Sequence, residues 1–397
     1  MKKDTELTTL GRNPRAHAGT VNPPVYQTST IVFPSLKAYR QAESGKPFYK
    51  EQELSSGSDF SYGLGGTPST FALQDALRKL EGADHCLIYP SGLAAITFTL
   101  LSFLEPGDHC LISDSAYGPT RRFCNKELKR LGIETTYYDP LIGAGIDKLI
   151  KKNTKFILLE SPGSLTFEMQ DIPAIVKVAK KKGVITAMDN SWATPLYYQP
   201  IKHGVDLSIQ AITKYIGGHA DVILGSVACN KEHVKALQQR IRHFGVGVNP
   251  AECASALRGL RTLSARLDKH YVSAMQVAKW LQGRKEVSRV IYPALPGDAG
   301  HKIWKRDFSG ACGLFTFILK KHYNEEQIAN MIDHYKHFGI GASWGGYESL
   351  VVYFDPTSIR TATKWKAEGS AIRLHIGLEA PEDLIADLDE GFRRLSK

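Results

Sequence analysis

Lys214 follows the mainly apolar run 205–211, stands beside Thr213, and is trailed by a Gly217-Gly218-His219 turn. A strand that ends in this way carries the amine into a cleft at its carboxyl edge, where open α/β sheets bind ligands. A buried amine with a lowered pKa is a nucleophile towards aldehydes. A strand-end lysine taken alone is ordinary surface chemistry, so a second residue has to carry the argument. Twenty-five positions upstream, the apolar run 184–188 ends in Asp189. A parallel strand presents that carboxylate at the same edge; by itself it reads equally well as a helix cap or a turn residue.

A Schiff-base lysine and a carboxylate held together are what pyridoxal 5'-phosphate (PLP) requires. The lysine bonds the aldehyde, and the carboxylate keeps the pyridine nitrogen protonated so that the ring accepts electrons from the substrate Cα. The phosphate also has a candidate place. Tyr89-Pro-Ser-Gly-Leu-Ala-Ala-Ile96 leaves a short strand and opens an apolar helix, and a helix start offers free amides and a positive dipole end to an anion. Many α/β turns look like this, so the signal is weak alone. Asp114-Ser-Ala-Tyr117-Gly-Pro-Thr120 follows another short strand. Its tyrosine is placed either to stack on a cofactor ring or to pack in the core.

These residues need a frame that brings strand ends together. From 85 to 230, short apolar runs alternate with amphipathic stretches. Strands are predicted at 85–89, 109–113, 133–138, 156–160, 184–189, 205–210 and 222–228, and helices at 91–104, 119–131, 147–152 and 172–182. That alternation predicts an α/β domain with a mostly parallel sheet and helices on both faces. Residues 1–66, rich in Gly, Pro, Ser and Thr, read as an extended arm. A long amphipathic helix over 262–283 enters a second, α+β domain. Its strands are expected at 288–294, 313–319 and 349–354 and its helices at 325–337 and 381–394.

A chain of 397 residues has room for two domains and a large core. No apolar run reaches the length of a membrane span, and the first residues lack the apolar core of a signal peptide. Six cysteines are scattered with no CxxC pair and no His/Cys cluster, so the expectation is buried thiols in a reducing cytoplasm and no metal. The net charge of +10 comes from 50 basic and 40 acidic residues. The basic runs lie on amphipathic segments and read as solvated faces, which speaks against a nucleic-acid partner. A positive field still draws anionic PLP and amino-acid carboxylates.

Taken in order, the segments resemble the Cys/Met-metabolism family of PLP enzymes, which share the type I, aspartate-aminotransferase-like fold. The resemblance covers nearly the whole chain. It is carried by Arg15-Ala-His-Ala-Gly19, Asn22-Pro-Pro-Val-Tyr-Gln-Thr-Ser-Thr30, Phe60-Ser-Tyr-Gly63, Ser91-Gly-Leu93, Ala116-Tyr-Gly118, Glu160-Ser-Pro162, Asp189-Asn190, Thr213-Lys214, Leu257-Arg-Gly-Leu-Arg-Thr-Leu263 and Arg373-Leu-His-Ile-Gly-Leu-Glu379. It implies that Lys214 bonds the cofactor, Asp189 pairs with the pyridine nitrogen, and Tyr117 stacks on the ring and shifts protons. It places the Gly92 and Leu93 amides and the Thr213 hydroxyl on the phosphate. Arg373 takes the substrate α-carboxylate in a bidentate pair, in a pocket lined by Ser343 and Trp344. Tyr62, on the arm, reaches the phosphate of a neighbouring subunit. The resemblance therefore implies a homotetramer built as a dimer of dimers, with an arm (1–66), a PLP-binding domain (67–261) and a small domain (262–397). Two positions depart from the family pattern. Leu64 stands where an arginine is usual, and Ala211 where a serine is usual. A missing guanidinium removes a charge-assisted bond worth about 1–3 kcal/mol.

The core residues do not choose between elimination at Cβ and at Cγ, because both begin with proton removal from Cα. The flanks do choose. Ser343-Trp344-Gly-Gly-Tyr347, Glu160-Ser-Pro-Gly-Ser164 and the terminal Arg373–Asp389 stretch resemble the cystathionine β-lyase branch of the family. That implies cleavage of an amino-acid thioether to homocysteine, pyruvate and ammonia in methionine synthesis. A γ-lyase or a broad C–S lyase is the alternative among enzymes, and a PLP-fold protein without catalysis the alternative outside them.

Overall fold

The computed structural model describes residues 2–44 and 61–395. Phe60 of the Phe60–Gly63 stretch lies outside them, as do Met1, 45–60, Ser396 and Lys397 of the expected arm and small domain. In chain order the helices are α1 (Lys3–Thr9), α2 (Leu36–Glu43), α3 (Pro68–Glu81), α4 (Gly92–Phe103), α5 (Gly118–Phe123), α6 (Ile172–Lys182), α7 (Thr194–Tyr197), α8 (Lys231–Phe244), α9 (Pro250–Leu260), α10 (Leu263–Gln282), α11 (His301–Asp307), α12 (Glu325–Ile332) and α13 (Pro381–Leu395). The strands are β1 (His85–Tyr89), β2 (His109–Ser113), β3 (Glu134–Tyr138), β4 (Thr154–Glu160), β5 (Ile185–Asp189), β6 (Leu207–Gln210), β7 (Gly225–Cys229), β8 (Val287–Ile291), β9 (Leu314–Leu319), β10 (Phe338–Ile340), β11 (Ser349–Phe354) and β12 (Ala371–His375).

Alternation in the central strands explains the layers. In β4, Phe156 and Leu158 join the apolar cluster on one face of the sheet, and Ile157 and Leu159 join the cluster on the other. β5 repeats this with Ala187 and Met188. A strand apolar on both sides needs helices over both. Ala95 and Leu100 of α4 and Leu237 of α8 cover the first face; α3, α6 and α10 cover the second. The strand order is β1-β7-β6-β5-β4-β2-β3. Neighbours from β6 through β3 are parallel, and β7 lies antiparallel between β1 and β6. The carboxyl ends of β4 and β5 therefore point the same way, with Glu160 in register with Asp189.

The second sheet has the order β10-β11-β12-β9-β8 and is antiparallel except for the β10–β11 pair. It shares one apolar core with the large domain. Leu159, Trp192 and Tyr215 pack in the same cluster as Leu267, Phe315 and Leu374. The Trp192 indole also donates to the Leu314 carbonyl at 3.1 Å.

All seven strands expected in the large domain form, with small shifts at their ends. The arm differs from expectation. It is not wholly extended, because α1 buries Leu7 completely and adds Leu10 to the core. Its polar composition conceals two short helices, α1 and α2, the second burying Ala38 and Ala42. The stretch expected as a helix at 147–152 is instead part of a tighter 3-10 turn over Gly143–Leu149. Strand β12 was hidden for a different reason. In Ala371-Ile-Arg-Leu-His375 the inward-facing residues include Arg373 and His375, so no apolar run marks it.

One buried, ion-paired carboxylate of the large domain ties it to residues 361 and 363 of the small domain. Asp114, at the end of β2, accepts Arg121 Nη1 at 2.9 Å, the Thr361 and Thr363 amides at 3.0 and 2.8 Å, and both threonine hydroxyls at 3.2 and 2.7 Å. Burial pushes the Asp114 carboxyl up, but these donors win and hold it at about 2. A depressed carboxyl stabilises the fold above its unfolded value near 3.9 and loses that contribution as pH falls towards 2. Asp114→Asn leaves Arg121 buried without its counter-charge and is expected to cost about 3–5 kcal/mol of unfolding free energy. Denaturant unfolding at pH 7 checks it, and the variant should lack the wild-type loss of stability between pH 4 and 2.

Candidate active site

A cavity of about 410 Å³ opens between the sheet edge and the small domain, lined by Gly92, Tyr117, Glu160, Asp189, Lys214 and Arg373 among others. It gathers residues from β4, β5, β12 and the turns after β1, β2 and β6.

Lys214 sits half-buried just beyond β6. Its Nζ donates to the Ser343 hydroxyl at 2.8 Å and lies 5.1 Å from the centre of the Trp344 ring. Burial, with the nearby positive charge of Arg373, lowers its pKa to about 8, against the opposing pull of Asp189. A far larger fraction of this amine than of an ordinary lysine is thus neutral at physiological pH, the form in which an amine acts as nucleophile or base.

Asp189 ends β5. Its Oδ1 accepts from the Ser191 amide at 3.0 Å and the Ser191 hydroxyl at 2.6 Å, and that hydroxyl in turn accepts from the Ala211 amide at 2.7 Å. The chain thus fixes the carboxylate to the backbone three residues before Lys214. Burial raises the Asp189 pKa, while the Ser191 bonds and the charge of Lys214 lower it. Ser191 was missed in the sequence, although an Asp followed two residues later by Ser is the pattern of a side chain capping its own turn.

Tyr117 lies at the start of α5 and is 44 % exposed, on the cavity wall. Its amide donates to Glu160 Oε2 at 2.7 Å. Glu160 was quoted as part of a motif without a role. Burial, then the charge of Asp189, pushes its carboxyl well above the usual range. It is therefore a poor second anion beside Asp189, and a backbone anchor for Tyr117.

The phosphate end follows from α4. Ser91 caps it by accepting from the Ala94 amide at 3.0 Å, which leaves the first turn facing the cavity with Gly92 and Leu93 on the lining. Gly92 is required there, since a Cβ would stand 2.7 Å from the Ala211 Cβ. Thr213 lines the cavity, but its hydroxyl donates to the Leu224 carbonyl and accepts from the Leu224 amide, both at 3.1 Å. Among the described residues lining the cavity, the cations are Lys214 and Arg373.

Arg373 is 8 % exposed. Its Nη2 donates to the carbonyls of Ala342 and Ser343 at 2.9 and 3.2 Å, and its buried Nε has no partner. Burial lowers its pKa to about 10, so it stays charged. A buried cationic donor with a spare N–H suits a carboxylate. Tyr62 is not brought into this cavity. It pairs with Thr30 and is 53 % exposed at the surface, as Leu64 is at 47 %.

The donor set fits PLP. An amine of lowered pKa, a fixed carboxylate, a tyrosine on the wall and a capped helix start surround one cavity. Lys214 would bond the aldehyde, Asp189 would face the pyridine nitrogen, and the Gly92 and Leu93 amides would take the phosphate.

The family model for Cys/Met metabolism PLP-dependent enzymes matches residues 4–393. The chain is 46 % identical over 396 residues to a putative cystathionine beta-lyase of Rhizobium johnstonii, covering 99 % of this chain and 96 % of that one. It is 44 % identical to the L-alanine/L-glutamate racemase of Wolbachia pipientis wMel, over 100 % of this chain and 98 % of that one. It is 42 % identical to the cystathionine beta-lyase MetC of Escherichia coli K12, over 99 % of each. Among solved structures, metB of Corynebacterium glutamicum superimposes with a TM-score of 0.88 at 28 % identity, over 100 % of this chain and 98 % of that one.

The lowered pKa of Lys214 gives a direct expectation. In cofactor-free protein its amine is half neutral at about pH 8. Reductive methylation at that pH should label Lys214 well ahead of exposed lysines, which ionise near 10.4. Peptide mass spectrometry reads the order of labelling.

Proposed function

The chain belongs to the Cys/Met metabolism family of PLP-dependent enzymes, and from that premise we propose that it is a carbon–sulfur lyase that converts L-cystathionine to L-homocysteine, pyruvate and ammonia. The observation that carries the reading is the placement of Lys214 Nζ. It lies 2.8 Å from the Ser343 hydroxyl and over Trp344, in a cavity that also holds Asp189 and Arg373.

PLP, when bound, supplies an electron sink for the charge that develops at the substrate Cα. The chain does the rest. Arg373 holds the α-carboxylate and so fixes which bond at Cα faces Lys214. Lys214, neutral above about pH 8, takes the Cα proton as general base. The Cβ–S bond then breaks, and the ammonium of Lys214 is placed to return a proton to the departing sulfur. Ser191 fixes the Asp189 carboxylate and, with Lys214, opposes the effect of burial on it, so that it would pair with the ring nitrogen of the cofactor. Hydrolysis of the three-carbon remainder completes pyruvate and ammonia.

Racemisation of alanine or glutamate, the activity in the name of the Wolbachia relative, begins with the same proton removal. It differs in needing a proton returned to the other face and no leaving group on Cβ. Tyr117, on the cavity wall, is the candidate for that donor.

A homo-oligomer supports the arm's chemistry. Val25, Val32, Leu36, Tyr39, Tyr62 and Leu64 are large apolar or aromatic side chains each exposed on the arm, and a second copy of the chain would cover them. In this reading Tyr62 completes the neighbour's phosphate site, and two such dimers form a tetramer. A cytoplasmic location fits six buried cysteines, each a free thiol. No helix among the described residues is long and apolar enough to cross a membrane.

Purified, PLP-loaded protein given L-cystathionine should release pyruvate and homocysteine, identified by mass. Release of 2-oxobutyrate would assign γ-elimination instead, and D-alanine from L-alanine without pyruvate would assign racemisation. Lys214→Ala should lower kcat by at least about 10²–10⁴-fold. Mixing inactive Tyr62→Ala and Lys214→Ala chains should restore about a quarter of wild-type activity if sites are shared between copies.

A further inference from the structure

Arg373 and His375 stand two apart on β12 and therefore share a face of the small sheet. Together they grip one loop. Arg373 Nη2 holds the carbonyls of Ala342 and Ser343 at 2.9 and 3.2 Å. Just beyond them, His375 Nε2 lies 3.1 Å from the Gly345 amide and 3.1 Å from the Gly346 carbonyl oxygen. Ser343 and Trp344 are the residues caught between the two grips.

The opposite side of the same loop rests on the lysine itself. Gly345 has φ +89°, and a Cβ there would stand 2.8 Å from the Lys214 carbonyl carbon and the Tyr215 nitrogen. Only glycine lets the backbones approach so closely. From this loop the Ser343 hydroxyl accepts the Lys214 amine, and the Trp344 ring underlies it.

Beneath lies an aromatic bed. The fully buried Tyr215 ring is 5.5 Å from Trp344, 5.2 Å from His270 and 5.9 Å from His375, centre to centre. Its hydroxyl accepts from the Gly313 amide at 3.0 Å and lies 3.5 Å from His375 Nδ1. Burial, with the positive charge of Arg373 and Lys214 nearby, keeps the His375 ring neutral. A neutral ring has one donor and one acceptor nitrogen. In either tautomer Nε2 bonds the loop, to the Gly345 amide or to the Gly346 carbonyl, and Nδ1 faces Tyr215.

We propose that His375 is a positioning residue for catalysis. By holding the loop at Gly345 or Gly346 through Nε2, it keeps Ser343 and Trp344 against the Lys214 amine and so sets both the orientation of that amine and the pH at which it becomes a base. It touches neither substrate nor the reacting atoms. The proposal rests on the reading of Lys214 as the Cα base, but its first test does not.

Two variants separate the loop contact from general packing. A glutamine amide reaches where Nε2 stands, whereas an asparagine amide reaches only as far as Nδ1 and Tyr215. In folded, full-length His375→Gln, the pH midpoint for reductive methylation of Lys214 in cofactor-free protein should match wild type. In His375→Asn it should shift, and kcat/KM of the PLP-loaded enzyme should fall about threefold to tenfold, the loss of one hydrogen bond. A role in stability alone lowers the melting temperature of both variants and moves neither site readout. An unshifted Lys214 midpoint in folded His375→Asn, or equal shifts in the two variants, overturns the proposal. If wild type fails to cleave cystathionine, the methylation comparison still decides the point.

Discussion

The cavity gathers a lysine amine, an arginine guanidinium and two carboxylates at neighbouring strand ends. Their mutual burial is the constraint on which the rest of the site depends. Left alone, each charge would be expelled or neutralised. Glu160 and Asp189 are in register on β4 and β5, too close for both to ionise easily. The Ser191 bonds and the charge of Lys214 favour Asp189 as the anion, while Glu160 is pushed up and spends its oxygen on the Tyr117 amide. On the other side, the proximity of Arg373 helps to drive Lys214 down towards neutrality. One electrostatic arrangement thereby yields a fixed anion, a fixed cation and a free base.

Such an arrangement requires two domains. The sheet supplies Asp189, Glu160 and Lys214, but Arg373, Ser343 and Trp344 come from the small domain. A displacement of one domain on the other would separate Lys214 from Arg373. The shared core, the Trp192–Leu314 bond and the Asp114 cluster with Arg121, Thr361 and Thr363 resist that. The loop 342–346 is the finest of these contacts, since it is bound on one side to β12 and rests on the Lys214 backbone on the other.

Similarity to a racemase and to cystathionine β-lyases at comparable identity has a physical meaning. The machinery for taking the Cα proton is common to both reactions. What distinguishes them lies in what happens to the proton and the Cβ substituent afterwards, and so in the cavity wall and in the arm. On the arm, Leu64 stands where the resemblance leads one to expect an arginine. Among the described residues lining the cavity, the cations are Lys214 and Arg373, neither of them on α4.

The periodicity of the large domain was legible because its strands are buried on both faces, so apolar runs of strand length recur between helices. Lys214, Asp189 and the Ser91–Leu93 turn could be found for the same reason, as each stands at the end of such a run. Strand β12 and α1 could not be read. The first has charged and polar side chains facing inward, and the second is too short to show a period. The sequence by itself determined which residue types were available and at which strand ends they stand. Tertiary structure alone decided their electrostatic roles. The pairing of Glu160 with Asp189, the relay through Ser191 to Ala211, and the grip of Arg373 and His375 on the Lys214 loop join residues far apart in the chain. Local pattern carries no information about such pairs, because burial and distance, which set charge, exist only once the two domains have packed.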